Sequence, residues 1–270
     1  MQKIEQENQP AWLFRFLLSA NLLIFQPLLI TLKDLFLVAI KVIYYILELI
    51  YLTISPPKEK DLHGEVAVVT GGGQGIGLEL VRQLTDLGVK IAVWDINKQA
   101  ADEAVREIEA KKGLGIAVHV DVSDRLSIQK AVEVTRTELG EVTLLINNAG
   151  IMPCKLLLNH SATDVERLFN VNVMSHYWTI FEFLPRMLSL GRGHIVCMCS
   201  IAGITGTPNL VPYCSSKFAL KGLMDGLFHE LRLQYPDSRV KTTRNTPTYR
   251  RCWARCSRSI DSCPERRSWC

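Results

Sequence analysis

The sequence predicts a doubly wound α/β fold, Rossmann-like, in which a parallel sheet carries helices on both faces and an apolar helical segment comes first. Three observations carry that prediction. From Glu65 onward, short β-branched runs alternate with amphipathic stretches of helical length. A glycine-rich turn, Thr70-Gly71-Gly72-Gly73-Gln74-Gly75-Ile76-Gly77, joins the first run to the first stretch. The later strands close on Asp95, Asp121 and Ser200, polar residues at the sheet edge where such folds bind ligands.

The elements follow in order. Val66-Ala67-Val68-Val69 reads as a buried strand, and Gly77 to Leu87 as a helix with Leu78, Val81, Leu84 and Leu87 on one face. Lys90 to Trp94 is the second strand, ended by Asp95. Asn97 to Lys111 is a polar-faced helix with Gly113 beyond its end. Gly115 to Val120, Thr143 to Ile146 and His194 to Cys199 complete the strands. Arg125 to Leu139 is helical. The range 162–190 reads as one long helix with a kink or break at Pro185, and Tyr213 to Gln234 as another. Right-handed crossovers then set the ends of strands one and four side by side at a switch point.

A chain of 270 residues holds one sizeable α/β domain plus an appendage. A net charge of +4 is too small and too scattered to point to nucleic acid, and no nucleic-acid partner is expected. Cys197 and Cys199 face the same side of a predicted strand, and Cys154 and Cys214 stand apart, which fits a reducing compartment rather than a disulfide framework. No His or Cys cluster has metal spacing, and no metal is expected.

Residues 1–57 form the appendage. Ala11 to Ile30 and Leu35 to Ile54 are apolar stretches of about 20 residues, each matching the thickness of a hydrocarbon core. Glu5 and Glu7 beside Lys3, with no small-residue cleavage site, argue against a signal peptide. A membrane anchor is expected, as a span, a two-helix hairpin or an interfacial helix. Lys41 and Glu48 share one face, which favours a polar stripe. Pro56-Pro57-Lys58-Glu59-Lys60 breaks the run, and Lys58 and Lys60 point to a cytosolic position for the domain that follows.

The glycine turn suits a phosphate loop. Gly71 permits the tight turn, Gly75 lets backbone N–H groups approach a pyrophosphate, and Gly77 allows close packing of helix on strand. A plain turn also accommodates glycines, and the flanking strand and helix tip the balance towards nucleotide binding. Asp95 ends strand two, where a carboxylate accepts hydrogen bonds from ribose hydroxyls and repels a 2′-phosphate, favouring NAD over NADP; Gln74 offers no positive clamp, whereas Lys98 offers some compensation. The bland alternative for Asp95 is a cap on the next helix. Tyr213 and Lys217 lie one helical turn apart. A phenol with its ordinary pKa of about 10 is a poor base at neutral pH, and a neighbouring ammonium favours its ionised form. Tyr213 can then take an alcohol proton as hydride leaves the carbon, with Ser200 bonding the substrate oxygen. Tyr-x-x-x-Lys alone is common by chance; Ser200 before it at a strand end makes the set informative.

The ordered set T-G-x-x-x-G-I-G, Asp95, Asp121-Val122, Asn147-Asn148-Ala149-Gly150, Asn172, Ser200 and Tyr213-x-x-x-Lys217 resembles the short-chain dehydrogenase/reductases over about Gly64 to Thr243. The resemblance implies that Asn172 holds a proton-relaying water with Lys217. It implies adenine contacts at Asp121 and Val122, a cofactor cleft lined by Asn148, Ala149 and Gly150, and cofactor contacts at Gln74, Ile76, Tyr213 and Lys217. The apolar N-terminus and Trp94-Asp95-Ile96-Asn97 are similar to the membrane-anchored retinol and 17-beta-hydroxysteroid dehydrogenases. That branch implies apolar alcohol or ketone substrates, an endoplasmic reticulum or lipid-droplet surface with the domain facing the cytosol, and homodimers through helices at about 162–190 and 211–235.

The resemblance covers a domain at 58–243 and then breaks. Pro247 keeps its expected spacing, but Arg244-Asn245-Thr246 replaces apolar residues, and the last strand and substrate lid are expected to be missing. The tail at 244–270 is rich in Arg, Cys and Trp without hydrophobic period, and is expected to be disordered. Cys252, Cys256, Cys263 and Cys270 lack zinc spacing. An altered reading frame or exon accounts for such a tail. The alternative function is then an inactive anchored relative that acts through partners.

Overall fold

The computed structural model describes residues 11–55 and 60–245; the side chains of 11–28 and Leu52 fall outside that description. Two compact units divide between Asp61 and Leu62. The first holds α1 (Ala11–Ile54), a single helix of 44 residues. The two apolar stretches are therefore continuous, and Lys33-Asp34 lies within the helix rather than at a turn. The apolar side chains described from Leu29 to Ile54 are exposed, Leu35 at 65% and Ile54 at 79%. Among the described residues no helix is long and apolar enough to cross a membrane. Lys33, Asp34, Lys41 and Glu48 interrupt the apolar run of α1.

The second unit is built on six parallel strands: β1 (Val66–Thr70), β2 (Lys90–Asp95), β3 (Gly115–His119), β4 (Leu144–Asn147), β5 (Arg192–Met198) and β6 (Arg239–Asn245). Their order is β3-β2-β1-β4-β5-β6, so the strand order reverses between β1 and β4, the switch point where such a sheet opens its crevice. The helices are α2 (Gly75–Asp86), α3 (Lys98–Ala110), α4 (Arg125–Leu139), α5 (Ala162–Phe169), α6 (Ser175–Ser189) and α7 (Val211–Gln234).

Every residue of β1 is buried, as a strand covered on both faces must be. One core gathers Trp94, Leu145 and Ile195 with Phe183, Met187 and Leu220 from α6 and α7; a second gathers Val69, Ile91 and Ile146 with Val81 of α2 and Ala104 of α3; a smaller third joins Leu168 and Ala202 to Tyr213 and Cys214. Trp94 is wholly buried, and its indole Nε1–H donates to Thr135 Oγ1 at 3.0 Å, which satisfies the one polar atom in a large apolar side chain. Asn97 caps α3 by accepting from the Ala100 N–H at 3.2 Å, and Ser161 and Asp164 form a reciprocal capping box at α5.

Two differences from expectation have local causes. The predicted helix over 162–190 is divided by a π-turn at Asn170–Met174. Pro185, expected to break or kink it, sits inside α6, which runs on to Ser189. The irregularity thus falls at Asn172, which bonds Ile151 and Ser216, rather than at the proline. Strand β6 continues through Arg244 and Asn245, past the boundary expected at Thr243, and pairs with β5 along its whole length. Backbone hydrogen bonding does not need the missing apolar side chains, and Arg244 donates to Asp225 Oδ1 of α7 at 2.8 Å. Residues 246–270, including Pro247 and the four tail cysteines, lie outside the described residues, as do Pro56 to Glu59.

Candidate active site

The carboxyl ends of β1 and β4 are locked together. Thr70 Oγ1 accepts the N–H groups of Asn148 and Ala149, both at 3.0 Å. The Asn148 amide Nδ2 donates to Thr70 O at 3.0 Å and Gly71 O at 3.1 Å. The glycine turn springs from this lock. Gly71 and Gly75 have φ of 63° and 59°, the left-handed region that side chains avoid. A Cβ at Gly77 would collide with the Gly71 carbonyl oxygen, so only glycine lets α2 pack this close to the strand end. Gln74 holds the N-cap position of α2 in extended conformation, and Gly75 and Ile76 open the helix, leaving its first N–H groups at the crevice.

Asp95 lies at the end of β2, 5% exposed. Its Oδ2 accepts the Gly73 N–H and its Oδ1 the Asn97 N–H, both at 2.9 Å. It is not the cap of α3, a position held by Asn97. Lys98, the cation nearest in sequence, is bound by Asp102 at 2.9 Å. Asp121 lies beyond β3, with Oδ1 accepting from Ser123 N at 2.9 Å and Ser123 Oγ at 2.6 Å, while Val122 packs into the core.

On the other side of the crevice, Ser200 follows β5 and is 7% exposed. Its Oγ accepts the Ala202 N–H at 3.2 Å. Tyr213 and Lys217 stand in the first turns of α7, buried to 8% and 5% exposure. Lys217 Nζ donates to Met198 O at 2.9 Å, and lies 5.6 Å from the Tyr213 ring centroid. The helix thus carries a buried ammonium beside the phenol and ties it to the strand that presents Ser200. Asn172 sits in the π-turn, completely buried. Its Oδ1 accepts from Ile151 N at 2.8 Å, and Nδ2 donates to Ile151 O at 2.9 Å and to Ser216 Oγ at 3.2 Å. A Cβ on Gly150 would meet Asn172 Oδ1 at 3.4 Å.

Burial shapes the electrostatics behind these groups. His176 is pushed down to about 3 by burial, reinforced by the Lys217 ammonium, and is neutral at pH 7. The Cys197 thiol is pushed up to about 12 by burial and stays protonated. The described residues hold no group of three His, Cys, Asp or Glu side chains arranged for a metal.

Sequence reasoning assigns no role to Thr70, Ser216, His176 or Thr179. Thr70 opens the glycine motif and its hydroxyl is a recognisable signal; the others act through contacts distant in sequence.

A family model described as short chain dehydrogenase matches residues 65–246. Short-chain dehydrogenase/reductase family 16C member 6 of Bos taurus is 40% identical over 204 residues, 75% of this chain and 64% of that protein. Epidermal retinol dehydrogenase 2 of Homo sapiens is 35% identical over 214 residues, 78% of this chain and 68% of that protein. The chain thus spans about two thirds of the length of these relatives. Among solved structures, a short chain dehydrogenase/reductase from Burkholderia phymatum in complex with NAD superposes with a TM-score of 0.68 at 32% identity, covering 71% of this chain and 68% of the other. A metagenomic short-chain oxidoreductase in complex with NADP gives a TM-score of 0.65 at 30% identity, covering 70% of this chain and 84% of the other.

Proposed function

The chain belongs to the short-chain dehydrogenase family, and from that premise we propose that it is an NAD-dependent oxidoreductase interconverting an apolar alcohol and its carbonyl at a lipid surface. The observation that carries this reading is the buried Lys217 ammonium 5.6 Å from the Tyr213 ring, on a helix tied to the strand that presents Ser200.

A nicotinamide cofactor supplies the acceptor or donor of hydride. The crevice fits such a group: Gly77 lets α2 start hard against the end of β1, and the start of that helix offers its first N–H groups to a pyrophosphate. The loop from Gly71 through Gly77 would hold the phosphates, and Asp121, Val122, Asn148, Ala149 and Gly150 would line the rest. Asp95 supports NAD over NADP, because its buried carboxylate repels a 2′-phosphate and Lys98 is engaged by Asp102. The protein's own groups then act on the proton. Ser200 accepts from Ala202 and keeps its hydroxyl hydrogen for the substrate oxygen. Tyr213 takes the alcohol proton at its phenol oxygen, and the Lys217 ammonium favours the phenolate that does so. The Asn172 side chain is committed to Ile151 and Ser216, so it orders the floor of the site rather than reaching the substrate.

The substrate is retinol-like or steroid-like. The exposed apolar residues of α1 support a lipid surface of the endoplasmic reticulum or a lipid droplet as the place where it is met. Exposed Phe181 on α6 and Phe218 and Phe228 on α7 support pairing of two copies through these helices. The test is turnover of the full chain in lipid vesicles with a retinoid or steroid alcohol and either cofactor. NADH formation is expected; no turnover with either cofactor overturns the reading, and a preference for NADP overturns its cofactor half.

A further inference from the structure

Asn147 and Cys197 are register partners at the ends of β4 and β5, so their side chains share one face of the sheet. Helix α6 grips both. Thr179 Oγ1 donates to Asn147 Oδ1 at 2.9 Å, and His176 Nδ1 lies 3.3 Å from Cys197 Sγ. All four residues are buried, His176 to 1% and Thr179 to 0% exposure. Asn147 Nδ2 has no partner among the described residues, so the contact with Thr179 is what fixes this amide.

One turn before His176 stands Asn172, inside the π-turn. A π-turn is a rare geometry, met mostly as a single turn inside an α-helix and often at functional sites. Here its far side is fixed by Asn172 on Ile151 and Ser216. Its near side passes directly into the turn carrying His176 and Thr179. Ser175 Oγ donates to Val171 O at 2.6 Å, and Thr179 Oγ1, whose one hydrogen serves Asn147, also lies 3.0 Å from Ser175 O and 3.1 Å from His176 O.

We infer that His176 and Thr179 are positioning residues: they clamp α6 to β5 and β4 and so hold the π-turn that sets Asn172. The inference rests on the proposed function, in which Asn172 orders the floor of the hydride-transfer site. The clamp is a neutral one. With His176 uncharged and Cys197 protonated around pH 7, it neither gains nor loses a proton in the working range. It acts by holding shape, not by moving protons.

The test pairs broken with conservative variants in the full chain. Thr179→Val and His176→Leu are expected to lower kcat about tenfold to a hundredfold through misplacement of the site, with the Kd for NAD unchanged. Thr179→Ser and His176→Asn, which restore a hydrogen-bonding atom near the same place, recover most of the loss. A crystal structure of the near-isosteric Thr179→Val variant supplies a readout independent of activity, in which Asn172 leaves Ser216 or the π-turn reverts to α-helix. Retention of both the π-turn and the Asn172–Ser216 contact overturns the clamp, as does undiminished kcat in the broken variants. A wild-type chain without turnover overturns the proposed function alone, and the crystal structure still decides the clamp.

Discussion

Asp95 holds Gly73: its Oδ2 accepts the Gly73 N–H at 2.9 Å, while Oδ1 accepts the Asn97 N–H at the same distance. One buried carboxylate therefore shapes the glycine loop and, in the proposed function, faces the ribose of the cofactor. Asp95→Asn removes the charge and keeps the size. Hydrogen bonds to charged groups contribute about 1.5–3 kcal/mol, so NAD affinity should fall roughly ten- to a hundredfold. The preference for NAD over NADP should narrow as the repulsion disappears. Calorimetric titration with each cofactor measures both; unchanged discrimination would remove Asp95 from the selectivity argument.

Thr70 joins β1 to β4 through one hydroxyl that accepts two backbone N–H groups. Thr70→Val matches its shape and strands both donors. A fully buried donor left without an acceptor costs about 1–3 kcal/mol; these two are part-buried, so a combined loss of about 1–2 kcal/mol is expected in denaturant unfolding. Thr70→Ser should keep most of that stability. Equal stability of the Val and wild-type proteins would mean that water or a shifted loop satisfies the two amides.

His176 makes stability depend on acid. Its folded pKa is lowered from 6.5 to about 3, so between those values the unfolded chain binds a proton that the folded chain refuses. The stability it contributes is present above pH 6.5 and is lost as pH falls towards 3. The slope from this group approaches roughly 1.4 kcal/mol per pH unit. His176→Asn should flatten the acid limb of a stability–pH curve, read by urea midpoints across the range. A limb that keeps its wild-type slope would assign the acid sensitivity to other groups.

Much of the site is legible in the chain because its signals are local. Gly71, Gly75 and Gly77 reveal a tight turn between a strand and a helix, and the structure requires glycine at each through φ or crowding. Tyr213 and Lys217 share a helix face by spacing alone. Asp95 is legible as the end of β2, yet its grip on Gly73 is not, since that contact joins two separate loops. Ser216 and His176 were beyond sequence reasoning for the same reason: their partners Asn172 and Cys197 are brought to them only by the packing of α6, α7 and β5. The π-turn is hidden because the apolar spacing through Asn170 to Met174 does not distinguish it from α-helix. Its shape follows from the side chains that α6 lodges on the strands. The N-terminal segment shows the converse: composition flags its apolar character, but only the backbone joins its two stretches into one helix.

The most direct test of the central claim is steady-state turnover of a retinoid or steroid alcohol with NAD by the full chain in lipid vesicles, wild type against Tyr213→Phe. Positioned acid–base catalysis contributes typically about 10²–10⁴ in rate, so NADH formation should fall by that order while NAD still binds. Undiminished turnover in the Tyr213→Phe protein would contradict the account, because the proton would then leave the alcohol by a route that does not pass through this phenol.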